Sequence, residues 1–287
     1  MSTPPGSGID QQTPPFTTRQ FTHEGLSIRI AQSEKKDAEH VILLSPMPES
    51  IYAFTPIWRS LAANYSLLAV DLPGFGHSES IPSVLAPEPM GRFVVSFAKS
   101  LGITQAHAIG PDIGTSALLS AAAEEPDFFS SIVIGSGGLA YPLQVEGLLK
   151  DFIAAERSEE FRDLDINELV KTLFASMPDY TPPQYVVDDY IESYPPQRFV
   201  DCLDYVRSYP RSLARIADLL PQITTPVQVI AGRHDPFVPI INAEFAHQRL
   251  PHSSLAVLDT GHMVWEEAHA EYGARCLEWL AGGYLSV

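Results

Sequence analysis

Hydrophobic residues along this 287-residue chain fall into two kinds of run. The first alternates. From Phe16 to Gln32, apolar and polar positions trade places on either side of His23-Glu24-Gly25, the pattern of two strands joined by a tight turn. The second kind does not alternate in this way: Val41 to Leu44, Leu67 to Val70, Ala106 to Ile109, Ile132 to Ile134, Val227 to Ile230 and Leu255 to Leu258 are apolar but for His107 and Gln228. Such runs fit strands covered on both faces. Between them, apolar positions recur at helical spacing over Thr55 to Ala63, Glu88 to Leu101, Thr115 to Ala123, Ile240 to Leu250 and Glu266 to Leu280. Strand and helix in alternation predict an α/β protein with a mostly parallel, doubly wound sheet.

One stretch breaks the rhythm. Residues 138–220 hold no strand pattern; they are helical and polar, and carry Tyr141, Tyr180, Tyr185, Tyr190, Tyr194, Tyr205 and Tyr209. An insertion of that size between two core strands reads as a helical cap over the strand ends. The expected division is therefore a core of 16–137 and 221–287, a cap of 138–220, and a loose tail of 1–15, whose Pro, Gly, Ser, Thr and Gln offer little to bury.

Composition narrows the partners. Lys and Arg number 18 against 35 Asp and Glu, a formal charge of −17, which disfavours a nucleic-acid partner. No apolar run approaches the roughly 18 residues of a membrane span, and no secretory pattern opens the chain, so the expectation is a cytoplasmic protein that does not enter a membrane. Cys202 and Cys276 are too far apart in sequence for a zinc spacing and read as buried, reduced thiols. Asp188-Asp189, with Glu192, reads as a solvated acidic helix face and not as a metal site, because no histidine accompanies it. No nucleotide, flavin or metal signature is present, so no cofactor is expected.

The chemistry lies where strands end, since open α/β sheets bind ligands beyond the carboxyl ends of their strands. Gly110-Pro111-Asp112-Ile113-Gly114 follows a strand and opens a helix. It has the G-x-nucleophile-x-G form of a sharp turn that holds its middle side chain above the sheet; Asp112 also suits a plain helix N-cap. Asp235 follows the strand that starts at Val227, and His262 follows the strand that ends at Leu258. Each alone reads as a loop residue. Together, in the order Asp, Asp, His, they match the order nucleophile, acid, histidine of a hydrolase triad.

With these residues in view the chain resembles the α/β-hydrolases from about Phe16 to the C-terminus. Asp71-Leu72-Pro73-Gly74-Phe75-Gly76-His77-Ser78 is similar to the family's D-x-x-G-x-G-x-S loop, and Ser45-Pro46-Met47-Pro48-Glu49-Ser50 stands where the family carries H-G-x-P. Aspartate at the elbow resembles the branch of epoxide hydrolases and haloalkane dehalogenases. The resemblance implies that Asp112 attacks carbon, that Asp235 orients His262 as base, and that the backbone N–H groups of Ile113 and Met47 hold the oxyanion. The substrate it implies is a small, mostly apolar organic molecule, with water as co-substrate.

The chain departs from the branch in three places. Ser45-Pro46 replaces His-Gly. Leu203-Asp204-Tyr205-Val206-Arg207 puts Val206 where epoxide hydrolases place a cap tyrosine, leaving Tyr205, Tyr209 and Tyr180 as candidates for substrate contact. Ile113 stands where dehalogenases place Trp or Arg, and none of Trp58, Trp265 and Trp279 falls in the cap, although Trp265 is a candidate wall of the pocket. Epoxide opening is thus the leading expectation. Dehalogenation by the same triad is the alternative, and a non-hydrolytic binding, isomerase or lyase use of the scaffold is a third.

Overall fold

A computed structural model describes residues 12–175, 177 and 180–287; the expected loose tail falls outside them over 1–11. Eight strands form one sheet: β1 (Thr18–His23), β2 (Leu26–Ser33), β3 (His40–Leu44), β4 (Ser66–Val70), β5 (Ala106–Pro111), β6 (Phe129–Gly135), β7 (Val227–Gly232) and β8 (Ser253–Leu258). Their spatial order is β1-β2-β4-β3-β5-β6-β7-β8. The alternating segment is the antiparallel hairpin β1–β2. Its register pairs His23 with Leu26 across a two-residue turn, and Glu24 and Gly25 both take positive φ, as such a turn requires. β2 also runs antiparallel to β4, and every other pairing is parallel.

The six non-alternating runs are these parallel strands. Ile42, Leu43, Leu44, Ile109, Ile132, Val133 and Ile134 are at most 1% exposed, so both faces of the sheet are covered. Each such side chain stabilises the fold by about 1.5–3 kcal/mol. The covering helices are α1 (Thr55–Ala62), α2 (Pro87–Ser100), α3 (Ile113–Glu124), α9 (Ile241–His247), α10 (Val264–Glu267) and α11 (His269–Leu280). α2 shows why they start and stop where they do. Pro87 fits the first turn, where no N–H is needed, Glu88 and Lys99 complement the two ends of the helix, and Gly102 follows at φ +82°.

After β6 the chain leaves the sheet and returns only at β7, its immediate neighbour. The intervening segment is α4 (Gly147–Ala154), α5 (Ile166–Ala175), α6 (Gln184–Ser193), α7 (Pro196–Arg207) and α8 (Tyr209–Leu219), with no strand among the described residues. Buried polar contacts tie these helices to the core. Arg29 of β2 holds Asp71 (Nε–Oδ2 2.5 Å) and Asp189 of α6 (Nη1–Oδ2 2.5 Å), and the Ser50 hydroxyl also donates to Asp189 (2.5 Å). The Tyr194 hydroxyl donates to the Glu49 carbonyl (2.8 Å), and Arg198 donates to the Ser78 carbonyl. This corrects the expected acidic face. Asp188 and Glu192 are exposed, but Asp189 turns inward, because one helix turn presents opposite faces to water and to Arg29. Burial alone would raise the Asp189 carboxyl; the hydrogen bonds from Arg29 outweigh it and hold the group at about 2. Cys202 and Cys276 are buried free thiols.

Candidate active site

Asp112 stands at the turn from β5 into α3 with φ 52° and ψ −120°, a region that non-glycine residues rarely enter. Its neighbours leave no alternative. A Cβ on Gly110 would lie 2.7 Å from Leu118 Cδ1, and one on Gly137 would lie 2.4 Å from the Asp112 carbonyl oxygen. The turn is held from both sides. The Asp112 N–H donates to the Gly135 carbonyl (2.9 Å), and the Thr115 N–H donates to the Asp112 carbonyl (3.1 Å). The Asp112 side chain makes no N-cap hydrogen bond to α3. It points instead toward Met47, whose N–H donates to Oδ2 (2.8 Å).

The other two strand ends bring their residues to the same place. Asp235, after β7, accepts from the N–H groups of Phe237 and Val238 through Oδ1 (both 2.9 Å) and from His262 Nδ1 through Oδ2 (2.7 Å). His262, after β8, turns Nε2 toward Asp112, 3.7 Å from Oδ1. That approach needs a glycine: a Cβ on Gly232 would fall 1.8 Å from the Gly261 carbonyl oxygen. Burial disfavours the charged imidazolium, but the two carboxylates, Asp235 foremost, prevail and raise His262 to about 10. Histidine is thus held as a cation between two anions.

These residues open on a cavity of about 70 Å³. Met47, Glu49, Asp112, His262 and Met263 form its floor. The inserted helices form its roof, with Leu148, Phe152, Leu169, Leu173, Phe199 and Val206, and Phe237 completes the wall. A wider groove of about 340 Å³ beside α1 and α11 touches none of the three triad candidates, so size alone does not pick out the site.

Of the nine residues expected at the site, the structure brings Asp112, Asp235, His262 and Met47 together. The Ile113 N–H makes no hydrogen bond to the Asp112 carboxylate. The Tyr205 hydroxyl donates to the Ile113 carbonyl (2.9 Å) and meets the Ser116 hydroxyl (3.0 Å), so it braces α3 from behind the elbow. Tyr209 packs edge-on to Tyr205 and over Gly138, and the Tyr180 ring lies tilted against His269; neither lines the cavity. Each of these three rings is at most 5% exposed, because the inserted segment uses these tyrosines as packing against the core. Trp265 is fully buried, 5.9 Å ring to ring from His262, and donates from Nε1 to Glu49 Oε1 (3.0 Å). Glu49 itself, and its buried neighbour Glu266, were not singled out by sequence. Glu49 stands inside the loop matched to H-G-x-P, and nothing in the sequence around Glu266 marks that carboxyl as buried.

The profile of the alpha/beta hydrolase fold family matches residues 39–268. The chain therefore belongs to this family and is an α/β-fold hydrolase. Among curated proteins it is 25% identical to the uncharacterized hydrolase YugF of Bacillus subtilis (strain 168), over 87% of this chain and 92% of that one. It is 26% identical to the 2-hydroxy-6-oxo-6-phenylhexa-2,4-dienoate hydrolase of Burkholderia cepacia, over 93% and 98%. Among solved structures, Epoxide Hydrolase A from Mycobacterium thermoresistibile superposes with a TM-score of 0.77 at 20% identity, over 93% of this chain and 98% of that one, a likeness of fold.

Proposed function

We propose that this hydrolase acts on a small, neutral, apolar electrophile, an epoxide foremost, through a covalent ester on Asp112. The observation that carries the reading is the carboxylate on the elbow, facing an apolar cavity with a backbone N–H on one oxygen and the His262–Asp235 pair beside the other. The residue type selects the chemistry. An aspartate that attacks an sp³ carbon becomes an ester, which water can cleave; an aspartate that attacks a carboxylic ester becomes a high-energy anhydride.

In this mechanism Asp112 Oδ1, the oxygen not held by Met47, attacks the epoxide carbon. The C–O bond breaks, its electron pair stays on the departing oxygen, and that oxygen takes up a proton. Esterification removes the charge of Asp112, and with it part of what holds the proton on His262. His262, once neutral, takes a proton from water through Nε2 while the hydroxide attacks the carboxyl carbon. The resulting oxyanion forms at Oδ2, where the Met47 N–H already points. Collapse releases the diol and restores the carboxylate.

Charge supports a neutral substrate. No Lys or Arg lines the cavity, so an anionic substrate would bring an unpaired charge next to Asp112. In this reading residues 138–220 are the cap, since their side chains form the apolar roof, and the dienoate named for the Burkholderia relative is not a substrate. The test is His262→Gln, incubated with a panel of epoxides and bromoalkanes and examined by intact mass and peptide mapping. The expected result is a stable adduct on Asp112, its mass that of the whole epoxide. A folded variant that acquires no adduct across the panel would overturn the proposal and favour non-hydrolytic use of the scaffold.

A further inference from the structure

Opening an epoxide requires a proton for the departing oxygen, and no tyrosine among the described residues lines the cavity. Tyr205 is engaged with Ile113 and Ser116. A different acid stands in the cavity floor. Glu49 lies beside Asp112 and His262 at 1% exposure, with Glu266 of α10, fully buried, behind it. Trp265 Nε1 donates to Glu49 Oε1 (3.0 Å), and the Tyr190 hydroxyl donates to Glu266 Oε1 (3.2 Å). Glu266 Oε2 has no hydrogen-bond donor, and among the described residues no Lys or Arg pairs with either carboxyl. Two buried carboxylates packed together with no Lys or Arg paired to either do not both ionise; they share a proton. Burial, then Glu266, then Asp112 all push Glu49 well above the carboxylate range, against the single opposing bond from Trp265.

We infer that Glu49 is the general acid of this site: it protonates the departing oxygen as Asp112 attacks, in place of the two tyrosines that the family resemblance implies. The inference rests on the reading of Asp112 as nucleophile. It also defines the substrate class, because the floor is then built for leaving atoms that must accept a proton, as an epoxide oxygen must and a halide need not.

The protons balance. As the C–O bond breaks, Glu49 gives its proton to the oxygen; the pair gains a negative charge in the same step in which Asp112 loses one to the ester. The imidazolium of His262, no longer facing an anionic Asp112, returns a proton to Glu49. His262 is then the neutral base that the second step needs, and water attack restores its proton.

The experiment compares Glu49→Gln with its parent in the His262→Gln background, where imidazolium cannot substitute as acid. Gln keeps an acceptor for Trp265, and near-ultraviolet circular dichroism checks the fold. Alkylation of Asp112 is timed by intact mass with an epoxide and with the matching primary bromide. The expected result is a fall of about a hundredfold or more in the epoxide-to-bromide rate ratio, the usual scale of general acid catalysis. In the parent, epoxide alkylation slows as rising pH ionises Glu49; the groups facing it, Glu266, Tyr190, Tyr180 and Asp112, are unchanged in the variant, which loses that dependence. An unchanged ratio, or equal slowing of both reagents, overturns the role of Glu49 while leaving Asp112 as nucleophile. Absence of any adduct in the parent overturns both.

Discussion

Two buried clusters in this molecule have the same charge pattern, a cation between two carboxylates. Arg29 sits between Asp71 and Asp189, and His262 sits between Asp235 and Asp112. The first is closed. Arg29 reaches each carboxylate at 2.5 Å, with a second bond to Asp189 at 2.9 Å, the guanidinium cannot titrate, and its outer carboxylate also accepts from Ser50. The second is closed on one side only: His262 meets Asp235 at 2.7 Å but stands 3.7 Å from Asp112, beyond hydrogen-bond range, with a cavity at the gap. Its cation can lose its proton, and its outer carboxylate faces the cavity. The comparison teaches that charge pattern does not separate a structural clamp from the proposed reactive site. The identity of the cation and the unfilled contact do.

The sharpest break is Asp112→Ala. Turnover should fall by about 10⁴-fold or more, as expected when a covalent nucleophile is removed, while urea denaturation shows the protein at least as stable as the parent. A large loss of stability would place Asp112 with the clamp. Next is Asp189→Ala, which leaves Arg29 with one partner. The expected cost is about 3–5 kcal/mol in the same denaturation experiment, with loosening of α6 visible by hydrogen exchange. A change below about 1 kcal/mol would show that the clamp does not hold the inserted helices.

The two clusters should also fail at opposite ends of the pH scale. Asp189 is held at about 2 when folded, below the usual 3.8, so its contribution is complete above pH 4 and is lost as pH falls toward 2. That amounts to about 2 kcal/mol. His262 is raised to about 10 from 6.5, so its contribution is complete below pH 6.5 and is lost as pH rises through 10. Denaturation midpoints across pH should therefore decline on both sides. Asp189→Asn should remove part of the acid decline and leave the alkaline one. Smallest of all is Tyr205→Phe: about 1 kcal/mol of stability, from the bond to the Ile113 carbonyl, and less than a threefold change in turnover. A hundredfold loss would return Tyr205 to the chemistry.

The strands and the inserted helices differ just as much in how far sequence alone describes them. Each parallel strand centres on a largely apolar run, because both faces are buried, and each site residue follows its run within a few positions. Ile109, Ala231 and Leu258 thus announce Asp112, Asp235 and His262. The inserted helices carry no such marker. A buried tyrosine and a substrate-facing one look alike in sequence, and which faces of α7 and α8 meet α3 is settled by packing; Tyr205 and Tyr209 therefore lie behind the elbow. Asp189 and Glu266 show the same limit for charge. Each sits beside an acidic neighbour more open to water, and only the position of Arg29, 160 residues away in sequence, or of Glu49, separates the two.

The backbone at Asp112 carries a further consequence. A residue with a Cβ held at φ 52° and ψ −120° costs on the order of 1–3 kcal/mol that a glycine at the same place would not. The chain therefore forgoes a more heat-resistant form of itself, one substitution away, in order to keep a carboxylate above the sheet. Selection for thermal tolerance alone would favour glycine here, and a variant found that way would keep the fold, the clamp and the cavity while losing the carboxylate on which the proposed chemistry depends.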